Sequence, residues 1–528
     1  MRRLPVGIQS FADLRRNGYV YVDKTEYIWN LVSQGKAYFL SRPRRFGKSL
    51  LVSTLEAYFK GEKELFRELR MEEMEETRPE ELRWTEYPVI RFSLSGGMYE
   101  EAEGLRFSLE EVLRQTEIRY GIDSPGETDI SARFRRDLRE LYQKTGKQVV
   151  VLVDEYDKPL LDPMTVNSHQ EQENRSLYRG FFSVLKDQDE YLKFVFFTGV
   201  TKFSKVSVFS DLNQLRDISL LPEFSGICGI TEAELEDNFS EEIQNLAEAQ
   251  NMSTEEAKNT LCRMYDGYHF SRNSMGVYNP FSILSAFADR SFGSYWFESG
   301  TPTFLVRILN QWGGPVQDLT TGVAASESRL KNFRADDSDL IPLFYQSGYL
   351  TISGYDQRFR EYTLTFPNDE VKYGFLQFLI PKINNGTEAP DTEFSASKMI
   401  RYLENGETNA FLQMIRALLS SIPYHEGQPP QNEQQWRNLI YVLFAVLGQY
   451  IAAEEHSSRG RCDFRAVCGS YVYIFEFKQD ESPEAALQQI HDKGYAEPWR
   501  SGSRQIMLIG ANFSSGKRTL DNWKTEKL

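Results

Sequence analysis

Ala37-Tyr38-Phe39-Leu40, then Ser41-Arg42-Pro43-Arg44-Arg45-Phe46-Gly47-Lys48-Ser49, then Leu50, Leu51, Thr54, Leu55 and Tyr58 read in turn as a short apolar strand, a basic loop and the apolar stripe of a helix. This is the context a phosphate-binding loop requires. At a helix N-terminus the free backbone N–H groups and the positive end of the dipole face an anion, Lys48 reaches the outer phosphates of a nucleotide and the Ser49 hydroxyl ligates Mg²⁺. Arg44, Arg45, Phe46 and Gly47 complete the candidate cradle, and Arg42 stands where the general pattern has its first glycine. The segment alone also admits a plainer reading, in which Gly47 begins a surface helix and Arg42 to Arg45 are a solvated charge cluster.

Val149-Val150-Val151-Leu152-Val153-Asp154-Glu155 weighs against the plainer reading. An unbroken run of β-formers implies a strand buried on both faces, and its acidic C-terminal end lies where open α/β sheets bind ligands. Asp154 is expected to hold Mg²⁺, directly or through water, and Glu155 to orient or deprotonate the attacking water. A further run, Phe194 to Phe197, ends in Thr198-Gly199-Val200-Thr201-Lys202. Thr198 and Thr201 are candidate sensors of the terminal phosphate, although a threonine closing a strand is more often structural. Aromatic and β-branched runs alternate with helical patterns from Tyr19 to about Phe224, which predicts an α/β domain with a largely parallel sheet.

Beyond Ile227 the pattern changes. Glu232 to Ala249 and Ser253 to Tyr265 read as acidic amphipathic helices, each opened by Thr or Ser with Glu close behind. Turn-rich stretches at Asn384 to Pro390 and Gly427 to Pro430 are linker candidates. These features divide the 528 residues into an expected nucleotide-binding domain over 1–225, a helical lid or middle domain over 226–385, and a C-terminal α/β domain with its leading helices over 386–528. A composition of 41% hydrophobic and 26% charged residues excludes general disorder. The net charge of −15 argues against a chain that coats nucleic acid non-specifically, since such binding needs Lys and Arg to neutralise phosphates.

Met1-Arg2-Arg3-Leu4-Pro5 leads into polar sequence without the apolar stretch of a secretory signal. Leu439 to Ala453, interrupted by Gly448-Gln449-Tyr450, is shorter than the roughly 20 residues of a membrane span. A cytoplasmic chain without membrane contact is expected. Cys228, Cys262, Cys462 and Cys468 show no zinc-type spacing, and neither zinc nor a structural disulfide is expected.

Near the C-terminus, Asp463 to Cys468 and Tyr471 to Lys478 are strand patterns separated by Gly469-Ser470, a two-residue hairpin signal. In that register Asp463 faces Glu476. Opposed carboxylates repel unless a cation lies between them. Glu476 and Lys478 share one face while Phe475 and Phe477 turn into a core, so the hairpin offers a hard-oxygen Mg²⁺ site beside an ammonium group. A solvated hairpin of alternating charge is the competing reading.

Taken together, Tyr21-Val22-Asp23-Lys24-Thr25, the Ser41 to Ser49 loop, Asp154-Glu155-Tyr156-Asp157-Lys158-Pro159, Tyr265-Asp266-Gly267-Tyr268 and Ser299-Gly300-Thr301-Pro302 resemble the bacterial AAA-ATPase-like family that carries a C-terminal PD-(D/E)XK nuclease-like domain. The resemblance spans nearly the whole chain, and Arg42 agrees with this family's own loop. It implies Asp463 and Glu476 as metal ligands and Lys478 as the residue that positions or activates water for attack on a phosphodiester. Glu433 corresponds to the acidic residue of the preceding helix, and Gln489, on a helix from Pro483 to Lys493, would bridge to the metal. Arg459, Arg461 and Arg465 are candidate phosphate-backbone contacts.

The implied activity is ATP binding and hydrolysis that gates a Mg²⁺- or Mn²⁺-dependent nuclease acting on DNA or RNA, with defence or mobile-element biology as an analogy of architecture. The competing function is an ATP-driven switch or scaffold whose nuclease-like domain binds without cutting. Retention of Asp463, Glu476 and Lys478 favours the first, and the acidic balance favours the second. Relatives of this ATPase class form rings or dimers with an arginine supplied between subunits, and Arg42, Arg44 and Arg45 are candidates for that part in a homo-oligomer.

Overall fold

The computed structural model describes residues 2–528 apart from 124–125, 127, 165, 203–213, 301–318, 320–321, 332–338, 384–395, 421–442, 445–446, 448–451, 454–462, 501 and 518. Both linker candidates and Glu433 lie outside the described residues. The chain divides into two compact units, Met1–Trp312 with Thr321–Val371, and Gly313–Thr320 with Lys372–Leu528.

The first unit is built on a five-stranded sheet of β1 (Ala37–Ser41), β2 (Val89–Ser93), β3 (Val149–Asp154), β4 (Leu192–Gly199) and β5 (Arg216–Asp217), in the order β2-β3-β4-β1-β5. Every pairing is parallel. Helices therefore cover both faces, which is why β3 is buried along its whole length. One face packs an aromatic cluster in which Phe92 of β2 meets Phe134, Phe181 and Phe182 of helices Ile130–Thr145 and Ser168–Asp187. The opposite face carries the loop helix Lys48–Phe59. Because the chain leaves β1 to one side for β2 and returns to its other side for β5, the C-terminal end of β1 is a switch point, where α/β sheets open a crevice for ligands.

Helices Glu232–Ala249, Thr254–Tyr265 and Pro280–Asp289 form a second core around Leu235, Ile243, Leu246, Leu261 and Ile283. The first two start in reciprocal capping boxes, Thr231 with Glu234 and Ser253 with Glu256. The region read as helical also contains a small antiparallel sheet, β6 (Val323–Ser326), β7 (Thr351–Asp356) and β8 (Glu361–Thr365), in the order β6-β8-β7.

The second unit has its own five-stranded sheet, β9 (Ala452–Ala453), β10 (Phe464–Cys468), β11 (Tyr471–Gln479), β12 (Gln505–Ser514) and β13 (Thr519–Lys527), in the order β13-β12-β11-β10-β9. β10 and β11 are an antiparallel hairpin, and β11 runs parallel to β12 through the crossover helix Pro483–Lys493. Val472 and Ile474 pack under that helix with Leu487 and Ile490. Phe475 turns the other way, onto Phe411 and Phe444, with Phe477 stacked beside it. No helix among the described residues is long and apolar enough to cross a membrane.

Candidate functional site

The loop after β1 is held by backbone conformations that few residues adopt. Gly47 caps the loop helix at φ 93° with nothing among the described residues within 4 Å of a Cβ, and Arg45 is left-handed at φ 66°. Lys48 is buried, and its Nζ donates to the carbonyls of Arg42 at 2.9 Å and Pro43 at 2.8 Å, closing the loop on itself. Burial lowers its pKa, while the nearby charges of Glu155, Asp157 and Asp154 work the other way. Arg44, Arg45, Gly47, Lys48, Ser49 and Glu155 line one open cleft. Phe281, which also lines it, carries the Arg45 guanidinium 4.6 Å over its ring, and the Arg44 carbonyl accepts from Trp296 Nε1 at 3.0 Å.

Two loop residues expected at the nucleotide do something else with their side chains. Arg42 is 1% exposed; its Nη1 donates to Ser41 O at 2.8 Å and Ser219 O at 2.9 Å, its Nη2 to Phe224 O at 3.0 Å, and it stacks 4.1 Å over Phe270. A guanidinium committed to those carbonyls braces the loop from behind and is not presented to phosphate. Phe46 is likewise core, with its ring 4.7 Å from Tyr268 and 5.5 Å from Phe270. Tyr268 is placed by Gly267, at φ 90°, where a Cβ would lie 2.1 Å from the Pro367 carbonyl oxygen. The Tyr265 to Tyr268 element thus supports the loop.

At the end of β3, Asp154 is buried, its Oδ2 is 3.8 Å from Arg91 Nη2, and its Oδ1 has no hydrogen-bond partner among the described residues. Glu155 follows at φ 55°, a strained conformation for a carboxylate side chain, and burial raises its pKa against the pull of Lys48. Thr198 of β4 is fully buried with a hydroxyl that has no hydrogen-bond partner among the described residues. Thr201 is differently engaged. Its N–H and hydroxyl both donate to Asp157 Oδ2, at 2.6 and 2.9 Å, and Val200 N adds a third bond at 3.0 Å. Gly199 is needed there, since a Cβ would come within 2.4 Å of Asp157 Oδ1.

An apolar chamber shares Gly47, Leu50, Pro280 and Leu284 with the cleft and extends it past Tyr21, Val22, Phe46 and Cys228. The Tyr21 to Thr25 element fixes its rim: Lys24 Nζ bonds Gly226 O at 2.8 Å and Glu234 Oε2 at 2.6 Å, while Asp23 Oδ1 accepts from Thr25 N at 2.8 Å.

In the second unit the hairpin register pairs Phe464 with Phe475 and Cys468 with Tyr471 across the Gly469-Ser470 turn. Asp463 precedes the ladder, and its Oδ2 accepts from Phe477 N at 2.7 Å, beside Glu476. Glu476 is 3% exposed and accepts from Gln489 Nε2. Lys478 Nζ donates to Gln489 Oε1 at 2.5 Å and lies 3.8 Å from Glu476 Oε1. Gln489 therefore fixes the carboxylate and the ammonium together. Arg465 does not face solvent as a phosphate contact would; it is 6% exposed, 5.1 Å over the Trp499 ring. Arg459, Arg461, Cys462 and Glu433 lie outside the described residues, among which no group of three or more His, Cys, Asp or Glu residues forms a metal cluster.

Comparison with known proteins bears on both sites. Residues 5–209 match the family described as "Predicted AAA-ATPase", and residues 431–523 match the "PD-(D/E)XK nuclease superfamily". A protein of Azotobacter chroococcum mcd 1, titled "Uncharacterized protein in vnfD 5'region", is 36% identical over 539 residues, covering 100% of this chain and 99% of that one. The chain belongs to this AAA-ATPase-like family with a C-terminal PD-(D/E)XK nuclease-superfamily domain. No solved structure matches it. The first match takes in Lys48, Asp154, Glu155 and Thr198, and the second takes in Asp463, Glu476, Lys478 and Gln489.

The sequence alone does not single out Arg91 or Asp157. A lone arginine inside the apolar strand Val89–Ser93 was the available signal for the first. Asp157 carries no local signal beyond its motif, because the donors to its carboxylate, Val200 N and Thr201 N, follow the end of β4, more than 40 residues along the chain.

Proposed function

We propose that the chain binds and hydrolyses ATP with Mg²⁺ in the cleft around Lys48, and that its nucleotide state gates a Mg²⁺- or Mn²⁺-dependent phosphodiesterase at Asp463, Glu476 and Lys478 that acts on nucleic acid. The observation that carries the first half is convergence: Lys48, Ser49 and Glu155 line one cleft at the sheet's switch point, next to a buried carboxylate oxygen and a buried threonine hydroxyl that lack hydrogen-bond partners among the described residues. Lys48 exchanges the Arg42 and Pro43 carbonyls for the outer phosphates, Ser49 and Asp154 hold Mg²⁺, and Glu155 orients water or takes its proton. Thr198 offers its hydroxyl to the terminal phosphate, and the apolar chamber receives the base. Mg²⁺ there supplies neutralisation of phosphate charge.

In the second unit Asp463 and Glu476 provide hard oxygen donors, and Lys478, steered by Gln489, positions or activates water. A role in defence or mobile-element biology fits the architecture by analogy alone. The alternative is a switch whose C-terminal domain binds without cutting. It is favoured by the Asp463 carboxylate's bond to Phe477 N and by the net charge of −15.

Lys48→Ala is expected to weaken ATP binding, and Glu155→Gln to keep binding while losing turnover by about 10²-fold or more. Wild-type hydrolysis rates in both variants would remove the N-terminal assignment. DNA and RNA panels with Mg²⁺ or Mn²⁺ test the nuclease half, Asp463→Ala being the inactive control. Cutting of no substrate by wild type selects the binding-module reading.

A further inference from the structure

Arg91 is the one charged side chain of β2, and it projects beneath the loop helix. Its Nη1 donates to Glu56 Oε2 at 2.9 Å, and Glu56 Oε1 accepts from Lys60 Nζ at 2.6 Å, so the guanidinium is anchored to the helix that also carries Lys48 and Ser49. Its Nη2 lies 3.8 Å from Asp154 Oδ2, within ion-pair range and too far for a hydrogen bond. Asp154 is only 3% exposed, and its other oxygen has no hydrogen-bond partner among the described residues. A buried carboxylate needs a counter-charge. Here a loosely seated guanidinium supplies it in direct ion-pair range, alongside the more general field of Lys48.

We infer that Arg91 is a positioning residue for the metal of the nucleotide site: it acts as the counter-ion of Asp154 in the metal-free chain and yields that carboxylate to Mg²⁺ when the nucleotide complex forms. The inference rests on the ATP reading above. Two cations drawn to one carboxylate oppose each other, so whatever Arg91 contributes to the metal-free protein it subtracts from metal affinity. The Glu56 bond gives Arg91 a partner on the helix side, so release of Asp154 does not strand the guanidinium without a counter-charge. A hydrogen-bonded, bidentate contact would hold Asp154 too firmly for this exchange.

The test is thermal unfolding of the full chain with EDTA, with a non-hydrolysable ATP analogue plus EDTA, and with the analogue across a Mg²⁺ titration. Arg91→Met is expected to unfold several degrees below wild type in EDTA. At least half of that deficit should disappear with analogue and saturating Mg²⁺, and the Mg²⁺ concentration giving half the shift should fall several-fold. Arg91→Lys, which keeps charge without the fork, should lie between the two and serves as the readout where the Met variant does not fold. In Asp154→Asn the Mg²⁺-dependent part of the shift should vanish with or without Arg91. An equal deficit with and without Mg²⁺, at an unchanged half-saturation, overturns the proposal and leaves Arg91 a packing residue. A wild type that no nucleotide shifts, at any Mg²⁺ concentration, overturns the ATP reading itself, which is a different result.

Discussion

Asp137, on the helix Ile130–Thr145, shows at the scale of one residue how burial sets charge. It is 0% exposed, its Oδ1 accepts from Arg136 at 3.0 Å, and its Oδ2 has no hydrogen-bond partner among the described residues. Burial pushes its pKa up to about 7; the Arg136 bond pulls the other way, and the nearby Glu117 charge adds to the rise. An aspartate in the unfolded chain titrates at about 3.9. The folded state therefore holds a proton that the unfolded state releases. The stability this brings is complete below the unfolded value and is lost as pH rises through about 7. Asp137→Asn should be more stable than wild type at pH 8 by about 1–3 kcal/mol and should lose that advantage at pH 4, as urea unfolding at the two pH values will register. The same logic separates Lys48 from Arg42. Both are buried, basic and in one loop, and local sequence treats them alike. Lys48 was legible because its place at the helix start defines its reach. Arg42 was not, because its acceptors Ser219 and Phe224 lie far along the chain.

At the scale of elements, legibility followed locality. β3 stands where its apolar run puts it, the helix Pro483–Lys493 spans the range expected of it, and both acidic helices open in the capping boxes their Thr and Ser residues announce. The β10–β11 hairpin needed only its turn, with Gly469 supplying φ 56°. The β6-β8-β7 sheet and the parallel partnership of β11 with β12 were not legible, since pairing between separated strands leaves little local trace. Gly47 tests how far a single element governs the cleft. Its φ of 93° is strained for any other residue, yet the space beside it is open. Gly47→Ala should therefore cost about 1–2 kcal/mol through conformation alone, without a clash, and should weaken ATP binding more than it lowers the unfolding midpoint. Calorimetric binding set against thermal unfolding separates the two effects. Equal ATP affinity in the variant would mean the left-handed cap is incidental to phosphate binding.

At the scale of the molecule, one chain keeps two sets of chemistry-bearing side chains in different compact units: Lys48, Ser49, Asp154 and Glu155 in the first, and Asp463, Glu476, Lys478 and Gln489 in the second. Coupling between them requires ATP to bind two states of the chain with different affinity, because a ligand with equal affinity for both shifts nothing. The acidic chain adds a condition: at a net charge of −15, a polyanionic substrate meets general repulsion, so productive binding depends on local cations such as Lys478 and should fall as salt rises. Cleavage is best compared in wild type, Lys48→Ala and Asp463→Ala with no nucleotide, with ADP and with a non-hydrolysable ATP analogue, at two salt concentrations. Wild type should respond to nucleotide by about tenfold, the scale of a coupling free energy of about 1–3 kcal/mol. Lys48→Ala should keep a basal rate and lose the response. Asp463→Ala should cut nothing while hydrolysing ATP at the wild-type rate, which separates damage to the second unit from loss of the nucleotide site. Cleavage at one rate in every nucleotide state would mean that the two activities share a chain without sharing an equilibrium.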